Sequence, residues 1–485
     1  MNAEKARARR SLFALAAVVI VFFVFGITHL GGLRWDYDEG VQAMEARLVL
    51  DGYSLYREVF SSDMPLFVGS LVCAFKLFGS SIEAARLVTL VYAIAGLLAV
   101  GLLARFLGDA WAGVAAALVL IISPPYFLGS RVCLEDIPSI GLAMAGLFLL
   151  CFYDRFKHFG WLALAGVVYG LALSLKLLPV VLLPLFILFA VRRNLRLKPA
   201  WLQLLGQVAT FLGAVGLPLL LSFALFDFNE AMFDQLVRFP AQATTFYSWS
   251  RSRNWVYILY FFVKSHPGAT ALAVFGVWAG ATSRRITIWP MVSWLLLMGS
   301  VLLFYVPLWS HLLVSLLFPL TVLSGIGFVE AVRSLRRRDR RPLERWASLL
   351  TLAVFLVSLP WTLVADVKAL WAPSPASAVH AIEWIAESTP SDAFILTDEP
   401  LIPFVAGRRV PPSLTDTSYK RINSGLLKAD EVIAVAETTR PAVVLLWHEG
   451  RFEYLPELII WVETHYELQI EYDDGTRLFA NPVWE

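Results

Sequence analysis

Between residues 11 and 366 the sequence is a succession of apolar segments, 14 to 25 residues long, separated by short polar gaps. Segments this apolar lie in a bilayer as helices, because a backbone in hydrocarbon must satisfy its own N–H and C=O groups. They fall at 11–30, 84–104, 110–124, 137–153, 160–176, 178–191, 201–225, 266–282, 287–306, 312–332 and 346–366, which gives eleven spans. With 58% hydrophobic and 16% charged residues, the chain cannot be an ordinary soluble globule. One further stretch, Pro65 to Gly79, carries Lys76 and reaches only about 22 Å as a helix against a core of about 30 Å. It is expected to lie in, or dip into, the interface.

The basic residues set the orientation. Six gaps assigned to the inner side hold 20 of the 40 Lys and Arg residues, from Lys5, Arg7, Arg9 and Arg10 through to the run Arg333 to Arg345. The outer loops and membrane segments hold 11, and the 119 residues after the last span hold 9. The positive-inside rule then places the N-terminus in the cytoplasm. An odd number of spans puts the tail outside. Counting 65–79 as a span would invert every later basic loop, so the charge pattern excludes it.

The expected fold is a polytopic α-helical membrane protein with about eleven transmembrane helices, juxtamembrane helices and a C-terminal extracytoplasmic α/β domain. Residues 1–366 form the membrane part, with outer loops at 31–83, 125–136 and 227–265; residues 367–485 form the outer domain, after a linker marked by Pro373 and Pro375. The tail alternates helical runs (377–388, near 428–438) with β-rich runs (393–397, 442–447), an apolar run at 454–463 and a hairpin-like pair around Asp473-Asp474-Gly475. Cys73, Cys133 and Cys151 sit in or beside apolar runs at no metal-ligand spacing and read as small buried residues.

Two outer gaps are acidic. Asp36-Tyr37-Asp38-Glu39 follows the first span, and Glu135-Asp136 stands far down the chain on the same side. Carboxylates keep an outer loop wet, but two such loops aimed at one face suit chemistry there. Beyond the tetrad, Val41, Met44, Leu48 and Val49 form an apolar stripe at helical spacing, which lays a short helix on the surface. Asp36 is read as a solvated loop residue.

Lys176 is a lone ammonium at the outer end of an apolar run, where a cation pairs with a fixed anion, snorkels, or meets a lipid phosphate. Arg131, four residues before Glu135, either serves such a phosphate or pairs with that carboxylate. The loop 227–265 interleaves Phe246, Tyr247, Trp249, Tyr257 and Trp255 with Arg251 and Arg253, an aromatic belt whose arginines also fit a phosphate head group. His311 stands at the outer start of a span. The four carboxylates Asp38, Glu39, Glu135 and Asp136 could hold a divalent cation through oxygen ligands. Walker, dinucleotide, His-Glu-x-x-His and nucleophile-elbow patterns are absent, and a net charge of +2 gives no case for nucleic acid. Any activated donor on the outer face must then be lipid-linked.

The arrangement resembles the glycosyltransferase C superfamily, in particular its protein O-mannosyltransferase and lipid A aminoarabinose transferase branch. The match rests on Asp38-Glu39-Gly40, the run Gly52-Tyr53…Tyr56…Pro65-Leu66, the acidic pair before Pro138, Lys176 before a proline, and His311 ahead of Pro319. It covers roughly residues 10–330. Met64-Pro65 departs from a double proline, and Leu312 follows His311 where an aromatic is usual.

The resemblance implies a polyprenyl-phosphate sugar donor and inverting transfer to a lipid, glycan or protein acceptor at a bacterial inner membrane. It implies Asp38 as general base, Glu39 as a positioning residue and Glu135 or Asp136 in the second half of the site. Lys176, with Arg131 or Arg253, would face the leaving phosphate; Tyr56 and His311 are further candidates, and a divalent cation is not expected to be obligatory. The competing reading is a multispan lipid or solute transporter, which should show paired halves with broken helices at matching positions.

Overall fold

The computed structural model of the chain describes residues 2–32, 36–195, 201–246, 250–283, 287–337, 341–448 and 450–482. Tyr247 and Trp249 of the aromatic loop, and Arg196, Lys198, Arg284, Arg285, Arg338 and Arg340 of the charge pattern, lie outside the described residues.

Helices run from α1 (Asn2–Ile27) through α2 (Tyr37–Leu50), α3 (Pro65–Phe78), α4 (Ile82–Leu107), α5 (Ala112–Ile121), α6 (Pro124–Gly129), α7 (Asp136–Phe156), α8 (Phe159–Leu175), α9 (Leu183–Leu195) and α10 (Trp201–Leu225). Long helices follow at Pro267–Thr282, Trp289–Phe304, Val314–Arg336 and Pro342–Leu370. Every apolar segment coincides with a helix, but their lengths differ from the expectation. Six of the described helices are long and apolar enough to cross a bilayer, or seven if one sharply bent pair counts as a span. The segment at 110–124 is shortened because Pro124 starts a new six-residue helix after Ser123. At 178–191 the chain enters through a 3-10 turn that contains Pro179. The bent pair, Arg251–Ser265 and Pro267–Thr282, turns by 93° at His266, where Pro267 brings no N–H.

The bundle is organised around Val314–Arg336, which is almost wholly enclosed by its neighbours, whereas Pro342–Leu370 leaves most of its apolar surface outward. That outward surface is what a helix facing lipid presents. α4 and α7 touch backbone to backbone, since a methyl on Gly96 would stand 3.0 Å from the Gly141 Cα. Small residues allow this close packing in a setting where the hydrophobic effect gives helices no preference for each other over lipid.

α2 forms where the stripe predicted it. Val41, Met44 and Leu48 are buried, Asp36 caps the helix by accepting from the Asp38 N–H at 3.1 Å, and Asp38 and Glu39 oppose the positive end of its dipole. Asp36 is thus a helix cap rather than a solvated loop residue. α3 has 14 residues, about 21 Å at ~1.5 Å each, starts at Pro65 and stops at Gly79.

The C-terminal residues build a four-stranded sheet, β1 (Ile395–Thr397), β2 (Val443–Leu446), β3 (Glu467–Glu471) and β4 (Arg477–Ala480), in the order β1-β2-β4-β3. β1 and β2 are parallel; β4 runs antiparallel to both of its neighbours. Alternation along the strands decides the layers. Leu396, Val444 and Phe479 face the helices Ala429–Thr439 and Pro456–His465, while Ile395, Val443 and Leu478 face Ala376–Ser388.

This α/β unit sits directly on α2 and α3. The Tyr37 hydroxyl donates to Asp416 Oδ1 at 3.1 Å and accepts from the Thr417 N–H at 2.7 Å, and the Arg451 guanidinium lies 3.3 Å from the Tyr37 ring centroid. Phe404 stacks on Phe75 at 5.7 Å. Gly40 meets Leu401 so closely that a Cβ there would fall 2.5 Å from the Leu401 nitrogen. Only glycine fits at that position of α2.

Candidate active site

Glu39 is the anchor of the first acidic loop. Its carboxylate takes both Arg86 Nε at 2.8 Å and Arg86 Nη2 at 2.6 Å, and accepts the Cys133 N–H at 2.7 Å. Arg86 spends its remaining fork on the Leu30 and Gly32 carbonyls, at 2.7 and 2.6 Å. The two side chains are 1% and 0% exposed, a bidentate pair with every strong acceptor and donor engaged. Glu39 is therefore fully occupied in tying α2, α4 and the Cys133 loop together. The adjacent Asp38, one turn position earlier, points to solvent from the first turn of α2.

The second acidic pair meets Lys176. Glu135 and Asp136 open α7, where a helix N-terminus favours anions, and Lys176 ends α8, where a C-terminus favours cations. The two helices form a hairpin, so the charges arrive at one level. Lys176 Nζ lies 2.7 Å from Glu135 Oε1 and 2.9 Å from Asp136 Oδ1, and its side chain keeps 20% of its surface exposed. Both carboxylates therefore face the same ammonium. His311, in the turn Ser310–Leu313, is near enough to act on the charge of Asp136.

Gln42 of α2 links the two halves. Its Nε2 donates to Asp63 Oδ2 at 2.8 Å and to Glu135 Oε2 at 3.4 Å. Through Gln42 the first helix after the acidic loop is thus joined to the Glu135 carboxylate that holds Lys176, and Asp63 feels the charges of both Lys176 and Asp38. Burial, with Glu135 adding to it, pushes the Asp63 carboxyl well above the ordinary range. Glu45, one turn after Gln42, is completely enclosed beside Asp63, and burial raises it in the same way.

Three expected members stand elsewhere. Arg131 is buried at the end of α1, donating to the Phe25, Gly26, Thr28 and His29 carbonyls at 2.5 to 3.2 Å. It closes a helix C-terminus rather than waiting for a phosphate. Arg253 lies on the exposed face of Arg251–Tyr260, 3.2 Å from the Tyr257 hydroxyl on its own helix. Tyr56 is buried with φ 68°; its hydroxyl donates to the Asp63 carbonyl at 2.7 Å and its own backbone carbonyl accepts from Gln235 Nε2 at 2.7 Å, so it shapes the loop that presents Asp63.

Arg86, Asp63, Gln42 and Glu45 escaped the sequence reading. Arg86 had a usable signal: it is a cation inside the apolar segment 84–104, the same oddity that singled out Lys176. The four carboxylates suggested as cation ligands do not gather into a ligand set, because Glu39 belongs to Arg86, and Glu135 and Asp136 to Lys176. Among the described residues, no three His, Cys, Asp or Glu side chains are placed to hold a metal ion.

Residues 64–217 match the family model described as dolichyl-phosphate-mannose-protein mannosyltransferase. Across 97% of the chain and 98% of the other, the structure superposes with a TM-score of 0.67, at 14% identity, on ArnT from Cupriavidus metallidurans bound to undecaprenyl phosphate. The chain shares the overall fold of that ArnT structure. The same fold relates it to the oligosaccharyltransferase AglB of Archaeoglobus fulgidus, solved with an inhibitory peptide and a dolichol-phosphate. That superposition has a TM-score of 0.53 at 15% identity and covers 97% of this chain and 74% of that one. No curated protein matches the chain at the level of sequence. The matched residues 64–217 carry α3 to α9 and the first two-thirds of α10, and with them Arg86, Glu135, Asp136 and Lys176.

Proposed function

We propose that the chain is a membrane glycosyltransferase that moves a sugar from a polyprenyl-phosphate donor to an acceptor hydroxyl, with inversion, on the non-cytoplasmic face of a bacterial inner membrane. The observation that carries this reading is that Gln42 joins α2 to Glu135 at the start of the α7–α8 hairpin, which sets Asp38 and Lys176 on either side of the proposed cleft. One wall offers Asp38, a solvent-facing carboxylate on a helix fixed by the buried Glu39–Arg86 pair; the other offers the partly accessible Lys176. Asp38 takes the proton of the acceptor hydroxyl as its oxygen attacks the anomeric carbon from the face opposite the phosphate. The bond from that carbon to the phosphate oxygen breaks, and the ammonium of Lys176 meets the charge that develops there. Inversion follows from the single in-line displacement.

The family model and the shared fold support a lipid-linked donor, since neighbours of this fold bind undecaprenyl phosphate and dolichol-phosphate. An eleven-span path with a cytoplasmic N-terminus and the α/β unit outside is part of the same reading, as is a boundary near residue 367. The four carboxylates are committed to Arg86 and Lys176 or stand apart, so no step is routed through a metal. The transporter alternative loses ground because the charged groups collect under the α/β unit rather than in two matching halves. The test is sugar transfer by the full chain in nanodiscs, with undecaprenyl-phosphate-linked sugars and a panel of acceptors. Transfer that vanishes in Asp38→Asn supports the reading; wild-type chain that turns over no lipid-linked donor, yet moves lipid across the bilayer, defeats it.

A further inference from the structure

Lys176 is a poor sole counter-charge for a leaving phosphate. Two carboxylates already share it. A phosphate arriving there meets more negative than positive groups unless another cation faces the cleft.

The α/β unit brings one. Residues 416–421 are pinned at two points of the membrane part. Tyr37 holds Asp416 and Thr417 through its hydroxyl, and the Arg421 guanidinium lies 3.8 Å from the centroid of Phe60, three residues before Asp63. Phe60 in turn packs edge-on against Phe239 at 5.4 Å. Arg421 is held in place by the Ser413 carbonyl at 3.0 Å and by the Asp416 carbonyl. Lys420, between these fixed neighbours, is half-buried and has no side-chain hydrogen bond or ion pair among the described residues. Its charge acts on Asp63 together with that of Lys176.

We propose that Lys420, carried by the α/β unit, is an anion-binding residue of this cleft that takes a phosphate oxygen of the lipid-linked donor opposite Lys176. The assignment rests on the lipid-phosphate reading above and gives the α/β unit a direct part in it. The unit completes the site instead of merely covering it.

The experiment uses the full chain in nanodiscs and undecaprenyl phosphate as the probe. Lys420→Gln is expected to weaken its binding ~10-fold, as loss of one charge-assisted contact does, while Lys420→Arg restores it to within about threefold. Lysine acylation of the wild-type chain, read by mass spectrometry with and without the lipid, needs no variant; Lys420 should become protected. Wild-type binding with unchanged affinity in Lys420→Gln and no protection overturns the proposal and leaves the lipid-donor reading standing. Unchanged lipid binding with a raised KM confined to phosphate-bearing acceptors also overturns it, and moves the phosphate to the acceptor. A wild-type chain that binds no undecaprenyl phosphate defeats the underlying reading and this proposal together.

Discussion

Arg86 reaches Glu39 from the other side of two loops and closes a bidentate pair in which neither side chain meets solvent. Breaking a buried pair strands a charge, and the cost is about 3–5 kcal/mol. Arg86→Met alone should lower the thermal midpoint of the chain in detergent by many degrees, and Glu39→Gln should cost less because the amide keeps part of the hydrogen bonding. The double variant Glu39→Leu with Arg86→Met should recover stability relative to Arg86→Met. Equal damage from single and double variants would show that the pair is not the reason for the loss.

Asp38 and Glu39 are neighbours with opposite demands. Asp38→Asn should leave the thermal midpoint near wild type while lowering turnover by ~10²–10⁴, the contribution of a positioned general base. Glu39→Asn should lose turnover and fold together. A stable, fully active Asp38→Asn enzyme would remove Asp38 from the chemistry.

Gly40 has no room for a methyl, and the atom in the way is backbone, which cannot rotate aside. Gly40→Ala should cost about 1–3 kcal/mol by forcing α2 and the α/β unit apart. The effect should appear as faster amide exchange at Leu401 to Phe404, with the sheet itself unaffected. Unchanged exchange there would mean that the unit is not seated on α2.

The same junction should respond to pH. Burial, with Asp38 and Glu39 beside it, raises the Asp36 carboxyl from 3.8 to about 7, and burial raises Glu399 from 4.5 to about 8 against the pull of Arg451. A carboxyl raised in the docked state favours docking while it is protonated. Below about pH 4 both states are protonated and pH has no effect; from there to about pH 8 the undocked state ionises first, so docking weakens as pH rises. Proteolysis of the segment 371–376 should therefore be slower at pH 5 than at pH 8.5. Faster cleavage at the acid end would reverse the sign and refute the account.

Hydropathy carried the sequence reading wherever structure follows from local pattern. The stripe Val41, Met44, Leu48 announced α2, and the alternating runs of the tail announced β1, β2 and the hairpin of β3 and β4. Reading failed where a side chain's role depends on a partner far along the chain. Arg131 and Arg86 are both arginines in outer gaps or at their edges, yet one closes α1 and the other holds Glu39. The apolar run around Arg86 is a local hint that it needs a partner, but which partner each arginine takes is not local. Asp63 was passed over because a single carboxylate before Pro65 looks like loop solvation until Gln42 and Glu135 are folded beside it. Lys420 is invisible for the same reason.

The Glu39–Arg86 pair also bears on how the chain is made. Glu39 emerges 47 residues before Arg86 and 94 before the Cys133 N–H that completes its coordination. Synthesis runs from the N-terminus, so the first loop waits with an unmatched carboxylate while α3 and α4 are delivered. Only a chain whose α4 has entered the bilayer in the right direction can present Arg86 on the side where Glu39 stands. One buried contact thus depends on the threading of the whole chain: with α4 reversed, acid and base would stand on opposite sides and the first loop could not close.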